Sequence, residues 1–226
     1  MLHRPAPNNS SSKRPRGVYA ITPDDVDSAR LIGRVQDVLS AGVAWIQYRN
    51  KNADAALRRE QAAAIKEICV LAAVPLIVND DVALAAAIDA DGVHLGADDA
   101  ALAHARSVLG PDAIIGVSCY DDLQRARHAL AGGADYVAFG AMFASPTKPH
   151  ARRAAQDLLR AELPGNVLRV AIGGITPINA GAVINAGADL VAVISGVFDA
   201  ADPAAAVRAY NACFAASDAC PRAVFS

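Results

Sequence analysis

The sequence predicts a single-domain (β/α)8 TIM barrel, and three observations support this prediction. Eight short apolar runs occur between Gly17 and Ser195, separated by alanine-rich stretches with helical periodicity. The runs are apolar at nearly every position, which is typical of parallel strands buried on both faces. A weak repeat accompanies every second run, in the segments AGVAWIQ, DADGVHL, GGADYVAF and NAGADLVAV. A fourfold repeat of this kind suits a closed barrel of eight strands.

The predicted strands can be placed in chain order. They lie in the runs GVYAIT, VAWIQYR, PLIVND, DGVHLG, AIIGVS, DYVAFG, LRVAIGG and DLVAVIS. The intervening stretches repeat apolar residues at helical spacing, as Leu57, Ile65 and Ile68 do after the second strand. The alternative is an open doubly wound sheet, which usually carries GxGxxG after its first strand. Here the first strand runs into ITPDD, so a barrel is the better interpretation.

Composition and length limit the domain organisation and the class of partner. The chain has 226 residues, of which 54% are hydrophobic, and a net charge of -2. We predict a disordered tail over residues 1–16, a catalytic barrel over 17–216 and a C-terminal tail over 217–226. The charge gives no reason to expect nucleic acid or a membrane as a partner. Small-molecule substrates, a cytoplasmic location and possible homo-oligomers are expected instead.

Polar residues gather at the predicted carboxyl ends of the strands, where barrel enzymes place their active sites. In the second strand an amide and two cations occupy alternate positions, which share one face of a strand. The candidates in chain order are Gln47, Arg49, Lys51, Asn79, Asp80, Asp99, Ser118, Ser145, Thr147, Lys148, Gly174, Ile194 and Ser195.

Two anion-binding sites are predicted from these residues. The runs AIGGIT and VISGVF follow the seventh and eighth strands, where barrels of this type often bind a phosphate on backbone N–H groups. The other site combines Arg49, Lys51 and Lys148. Three cations exceed what a monophosphate requires, so this site suits a diphosphate. The alternative for the glycine-rich runs is a tight turn that needs glycine only for its geometry.

Asp80 and Asp99 follow neighbouring strands and could ligate Mg²⁺ together with substrate phosphates. The alternative is that aspartates at these strand ends cap the next helix, and one of each acidic pair is expected to do so. His94 is interpreted as a hydrogen-bonded residue of the barrel and Cys119 as a spectator thiol. No general base stands out, which fits a reaction whose leaving group departs without proton transfer.

In combination, these motifs resemble the thiamine phosphate synthase family. The matching features are Gln-x-Arg-x-Lys at residues 47–51, Asn79-Asp80, DGVHLGADD, Ser118, the run SPTK, AIGGIT and Ile194-Ser195. The resemblance covers residues 17–216 and implies a transferase that joins a hydroxymethylpyrimidine diphosphate to a thiazole phosphate, with Mg²⁺. The products are thiamine monophosphate and pyrophosphate.

The resemblance also implies a role for each candidate residue. The pyrimidine diphosphate is expected to bind Gln47, Arg49, Lys51, Asn79, Ser118 and Lys148, of which Arg49, Lys51, Ser118 and Lys148 are the expected catalytic residues. Asp80 and Asp99 are the expected metal ligands. The thiazole phosphate is expected to bind Ser145, Thr147, Gly174, Ile194 and Ser195.

The sequence departs from the family pattern at Ala97, where Gln is usual, and at Ser145, where Thr is common. Two rival functions stay open, a thiazole tautomerase-like paralogue and a non-catalytic phosphate-binding barrel. The complete set Gln47, Arg49 and Lys51 argues against the tautomerase, which has no diphosphate to hold.

Overall fold

The protein forms a closed barrel of eight parallel strands in a computed structural model that describes residues 14–96, 98–144 and 152–219. Each strand pairs with the next along the chain, and the last pairs with the first. The predicted barrel is confirmed, and the open-sheet alternative is wrong. The strands are β1 (Gly17–Ile21), β2 (Trp45–Tyr48), β3 (Leu76–Asn79), β4 (Gly92–Leu95), β5 (Ile114–Tyr120), β6 (Tyr136–Phe139), β7 (Leu168–Ile172) and β8 (Leu190–Val193).

Helices follow most strands and surround the sheet. They are α1 (Ser28–Ser40), α2 (Ala55–Leu71), α3 (Val82–Ala87), α4 (Asp99–Leu109), α5 (Leu123–Ala131), α6 (Ala180–Ala186), α7 (Ser195–Phe198) and α8 (Pro203–Ala219). The connection after β6 differs, because its described part contains a 3₁₀ helix, Gln156–Leu159, where the other connections have an α-helix. The connection after β8 contains the short α7 before α8.

Aspartates set the start of four helices. The side chains of Asp27, Asp54, Asp81 and Asp122 each accept a hydrogen bond from a backbone N–H two or three residues further on. These bonds satisfy amides that have no partner inside the helix. The chain therefore leaves the rim of the barrel and enters a helix at defined residues.

Two apolar cores flank the sheet. The larger lies between the strands and the helices, and the smaller fills the barrel interior. Inside the barrel, the rings of Tyr19 and Trp45 meet edge to face at 5.5 Å between centroids, and those of Trp45 and Tyr136 at 5.2 Å. Large interlocking aromatic rings let one layer of side chains close the barrel.

Gly116 provides the space that Tyr136 occupies. The two residues pair in register between β5 and β6. A Cβ atom on Gly116 would lie 1.8 Å from Cζ of Tyr136, well inside any permitted contact. Glycine is thus required here for packing, since its backbone φ is not in the left-handed region.

The predicted domain bounds stay a prediction, but contacts at both ends of the barrel extend past them. Arg14 and Arg16 fall in the predicted tail, yet Arg14 lies 2.6 Å from the Asp189 carboxylate and Arg16 lies 3.0 Å from that of Asp218. At the other end α8 continues to Ala219, where it packs beside α1 and α6. Within the described ranges, no helix has the length and apolar character needed to cross a membrane.

We predict that Gly116→Ala destabilises the protein by about 1–3 kcal/mol, because the added methyl group forces the Tyr136 ring to move. Gly33→Ala is the matched control, since Gly33 lies inside α1 and a Cβ there meets no atom within 4 Å. That control should stabilise by about 0.5–1 kcal/mol through helix propensity. Urea unfolding of both variants measures the two effects, and equal stability of Gly116→Ala and wild type would contradict the packing argument.

Candidate active site

The carboxyl ends of β2, β3 and β4 open into a cleft of about 690 Å³. This is the end of the barrel at which enzymes of this architecture act. The polar side chains lining it include Arg49, Lys51, Arg58, Asn79, Asp80 and His104. Two predicted cations and one predicted metal ligand therefore share a single cleft.

Thr22 and Asp24, which follow β1, fix the end of β2. The buried Thr22 hydroxyl accepts the Arg49 backbone N–H and donates to the Arg49 carbonyl, both at 2.8 Å. The Asp24 carboxylate lies 3.0 Å from the Arg49 guanidinium and accepts the Lys51 backbone N–H at 2.6 Å. Sequence reasoning missed both residues. Their signal was the run ITPDD, which places carboxylates beside the basic end of the next strand.

A buried amide network supports the turn that carries Arg49 and Lys51. Asn50 donates to the Asp25 carbonyl at 2.6 Å and to Oε1 of Gln61 at 3.0 Å. Gln61 also donates to the Asp25 carbonyl, at 2.9 Å. Since buried polar groups are stable only when they are partnered, this network holds the turn in one conformation.

The two aspartates after β3 have different roles. Asp81 caps α3 by accepting the Leu84 N–H at 2.9 Å, as expected for one member of the pair. Asp80 has a left-handed backbone with φ of 62°, and its N–H donates to the His94 carbonyl at 2.8 Å. The Asp80 carboxylate is exposed in the cleft and accepts the Asn79 amide at 2.7 Å.

Asp80 fits a hard cation such as Mg²⁺, because its carboxylate faces the cleft and remains open to further ligands. Across residues 14–96, 98–144 and 152–219, no three His, Cys, Asp or Glu side chains gather closely enough to hold a metal by themselves. Mg²⁺ beside phosphates usually shares its coordination shell between one or two carboxylates and substrate oxygens, which fits a carboxylate such as that of Asp80. The side chain of Asp99 and residues Ser145, Thr147 and Lys148 lie outside what the structure describes.

A continuous chain of hydrogen bonds crosses the barrel interior. Gln47 donates to the Tyr19 hydroxyl at 2.7 Å, and the Tyr19 and Tyr136 hydroxyls lie 2.9 Å apart. The Tyr136 hydroxyl lies 2.9 Å from Nδ1 of His94, and Nε2 of His94 lies 2.9 Å from Oγ of Ser118. The structure thus connects two predicted substrate-binding residues, Gln47 and Ser118. Sequence reasoning missed Tyr19 and Tyr136, whose aromatic character suited an apolar core equally well.

His94 is held as a neutral imidazole. Burial lowers its pKa to about 4, against the weaker opposing effect of the Asp80 charge. Its ring stacks on Tyr136 at 5.5 Å between centroids. The prediction that His94 is a hydrogen-bonded barrel residue is confirmed.

The loops after β7 and β8 lie across the rim from this cleft, because β3 and β7 are four strands apart in a closed sheet of eight. Gly173 and Gly174 both have left-handed φ, of 98° and 63°. A Cβ on Gly174 would lie 2.4 Å from the Ala144 carbonyl oxygen, so glycine here also lets two loops pack together. The Tyr210 hydroxyl donates to the Ile175 carbonyl at 2.8 Å, which fixes the loop after β7 to α8.

Ile194 precedes α7, and Ser195 is the exposed first residue of that helix. The two residues predicted at the end of β8 are therefore at the rim.

Cys119, by contrast, is fully buried, and burial raises the pKa of its thiol to about 12, consistent with a spectator.

Comparison with known proteins identifies the family. The family model described as thiamine monophosphate synthase matches residues 18–197, which is nearly the whole barrel. The chain belongs to the thiamine monophosphate synthase family. It is therefore a transferase of thiamine biosynthesis, and the resemblance drawn from its motifs is confirmed.

Individual relatives agree with this assignment. A thiamine-phosphate synthase of Xanthomonas campestris pv. campestris (strain 8004) is 56% identical over 199 residues, covering 88% of this chain and 96% of the relative. One from Azoarcus sp. (strain BH72) is 58% identical over 204 residues, covering 90% and 99%. The solved structure of a thiamine phosphate pyrophosphorylase from Pyrococcus furiosus superposes with a TM-score of 0.78 at 33% identity, covering 89% of this chain and 96% of that one.

The depressed pKa of His94 leads to a prediction for acid stability. The ordinary pKa of histidine is 6.5, so below this pH His94 is protonated in the unfolded chain. In the folded protein His94 stays neutral until the pH reaches about 4. Stability is therefore lost as pH falls through this window, by about 2 kcal/mol between pH 7 and 5. His94→Gln should remove this part of the pH dependence, whereas the exposed-site control His128→Gln should keep it. Urea unfolding at both pH values measures the difference, and an unchanged slope in His94→Gln would contradict the prediction.

Proposed function

We propose that the barrel carries out the thiamine-phosphate synthase reaction with its two substrates on opposite sides of the rim. In this reaction 4-amino-2-methyl-5-hydroxymethylpyrimidine diphosphate and 4-methyl-5-(2-phosphoethyl)thiazole give thiamine monophosphate and pyrophosphate. The observation that carries the proposal is the separation of cationic and carboxylate side chains at β2 and β3 from the glycine loop and Ser195 at β7 and β8. Two separate anion-binding regions suit two phosphorylated substrates.

The pyrimidine diphosphate is assigned to the cleft. Arg49 and Lys51, which line the cleft, would bind its phosphate oxygens. Gln47 and Ser118, at the two ends of the hydrogen-bond chain in the barrel interior, would bind its ring. Asp24 now pairs with Arg49, so an incoming diphosphate would compete with Asp24 for that guanidinium. The residues proposed to bind this substrate are Gln47, Arg49, Lys51, Asn79, Ser118 and Lys148.

Mg²⁺ is the proposed metal, with Asp80 and Asp99 as its protein ligands. When bound, the metal supplies positive charge that neutralises the departing pyrophosphate. Asp80 supports this assignment through its exposed carboxylate, while Asp81 is already engaged as a helix cap.

The thiazole phosphate is assigned to the loops after β7 and β8. The positive φ of Gly174 and the N-terminal position of Ser195 in α7 support this assignment, together with the phosphate sites that barrels commonly have at these loops. The residues proposed to bind it are Ser145, Thr147, Gly174, Ile194 and Ser195.

The proposed mechanism is a dissociative substitution. The CH₂–O bond of the pyrimidine ionises, because the amino-substituted ring spreads the positive charge that develops. Arg49, Lys51, Ser118 and Lys148 are the proposed catalytic residues, acting on leaving-group charge that is greatest in the transition state. The thiazole nitrogen then captures the cation, and the two binding regions supply the orientation. The cytoplasmic location and any homo-oligomer stay predictions.

Asp80→Asn should lower turnover at least about a hundredfold, or about 2.7 kcal/mol, and raise the Mg²⁺ concentration needed for half-maximal activity. Asp81→Asn is the control, because asparagine caps helices as well as aspartate does. Pyrophosphate release measured across a Mg²⁺ titration distinguishes the two variants. Comparable turnover of Asp80→Asn and Asp81→Asn would remove Asp80 from the metal site.

Arg49→Ala should mainly lower kcat, by the equivalent of roughly 2–4 kcal/mol, because its charge acts on the departing pyrophosphate. Ser195→Ala should instead raise KM for the thiazole phosphate, whose charge is the same in the ground and transition states. Gly174 is a poor probe of this site, since any Cβ there strikes the backbone of Phe143 and Ala144. Steady-state kinetics with each substrate varied in turn separates the two effects. If Arg49→Ala changed only the affinity for the thiazole phosphate, the assignment of β2 to the diphosphate would be wrong.

A further inference from the structure

The interior hydrogen-bond chain has one defined direction. It joins Gln47 on β2, Tyr19 on β1, Tyr136 on β6, His94 on β4 and Ser118 on β5. The first bond sets the direction, because the Gln47 amide nitrogen donates and the Tyr19 oxygen must accept.

The direction of every later bond follows from counting hydrogens. Tyr19 accepts from Gln47, and among the described residues the Tyr136 oxygen is the acceptor within reach of the buried Tyr19 proton, so Tyr19 donates to Tyr136. Tyr136 in turn gives its proton to Nδ1 of His94. A neutral imidazole that accepts at Nδ1 carries its proton on Nε2, and this N–H donates to Oγ of Ser118. Burial raises the pKa of both tyrosines, which keeps each hydroxyl protonated.

The two ends of the hydrogen-bond chain differ in the groups that they still offer to a ligand. Gln47 donates one of its two amide N–H bonds to Tyr19, which fixes the orientation of the amide and leaves its carbonyl oxygen to accept from a ligand, with the second N–H beside it. The Ser118 oxygen has accepted from His94, so its own proton is left to donate to a ligand. The Gln47 end therefore presents a carbonyl acceptor with one N–H beside it, and the Ser118 end presents a hydroxyl donor.

We propose that Tyr19, Tyr136 and His94 are positioning residues that fix Gln47 as a hydrogen-bond acceptor and Ser118 as a donor for an aminopyrimidine ring. This inference rests on the proposed function, which assigns the pyrimidine diphosphate to these two residues. An aminopyrimidine carries an amino group, which donates, next to a ring nitrogen, which accepts. The Gln47 oxygen can accept from the amino group, and the Ser118 hydroxyl can donate to a ring nitrogen.

Tyr136→Phe tests the proposal, because it removes one hydroxyl from the middle of the chain with little change in volume. Nδ1 of His94 then has no donor, the imidazole proton is no longer confined to Nε2, and Ser118 loses its fixed orientation. We expect KM for the aminopyrimidine diphosphate to rise at least about tenfold. The inhibition constant of inorganic pyrophosphate and KM for the thiazole phosphate should stay within about twofold of wild type, since neither contains the pyrimidine ring.

Tyr48→Phe is the matched control. Tyr48 is equally buried, but its hydroxyl donates to Gln61 on the outer side of the sheet, at 3.0 Å. It should change stability without changing the ratio of the aminopyrimidine diphosphate KM to the pyrophosphate inhibition constant.

A second measurement does not depend on activity. Nitrogen-15 NMR of His94 in the ligand-free protein should show the proton on Nε2 in wild type and a larger Nδ1–H population in Tyr136→Phe.

The outcomes separate this inference from the proposed function. If wild type forms thiamine phosphate but Tyr136→Phe changes both KM values and the pyrophosphate constant by one common factor, or changes none, the inference is overturned. A proton on Nδ1 of His94 in wild type overturns it as well. If wild type forms no thiamine phosphate, the proposed function fails and the assignment of the ligand fails with it, while the NMR result alone decides the direction of the chain.

Discussion

Closure of the parallel sheet determines where each functional side chain lies. Because all eight strands run the same way and β8 pairs with β1, every carboxyl end meets at one rim. Arg49 and Ser195, distant in sequence, are thereby placed at the same end of the molecule, two strands apart around its rim. A rigid sheet that keeps the two proposed anion-binding regions at a constant distance can orient two charged molecules toward each other without a large conformational change.

The barrel interior combines an apolar core with a chain of hydrogen bonds. The rings of Tyr19, Trp45 and Tyr136 pack edge to face against one another. The hydroxyls of the two tyrosines belong to the hydrogen-bond chain that includes His94. Such groups are costly to bury singly but stable when each has a partner. The tyrosines can therefore fill the barrel and also orient the polar groups in its interior.

The barrel was predictable from sequence because strands buried on both faces and periodic helices leave strong local patterns. The residues at the rim were also predictable, since the ends of the strands define the rim. The hydrogen-bond and ion-pair partners of those residues were not predictable, because they depend on tertiary geometry. Asp24 meets Arg49 only once β1 and β2 are paired. Gly174 suggested phosphate binding, yet its packing against Ala144 becomes visible only when the loops after β6 and β7 are brought together.

The left-handed backbone of Asp80 sets the stability of the protein against the role proposed for the Asp80 carboxylate. A side chain in this region costs roughly 1 kcal/mol relative to glycine, and aspartate is among the residues that tolerate it best. Selection for thermal resistance alone would therefore favour glycine at position 80, and would discard the carboxylate in doing so. Retention of aspartate at this position in laboratory evolution would indicate that selection for catalysis outweighs this local gain in stability.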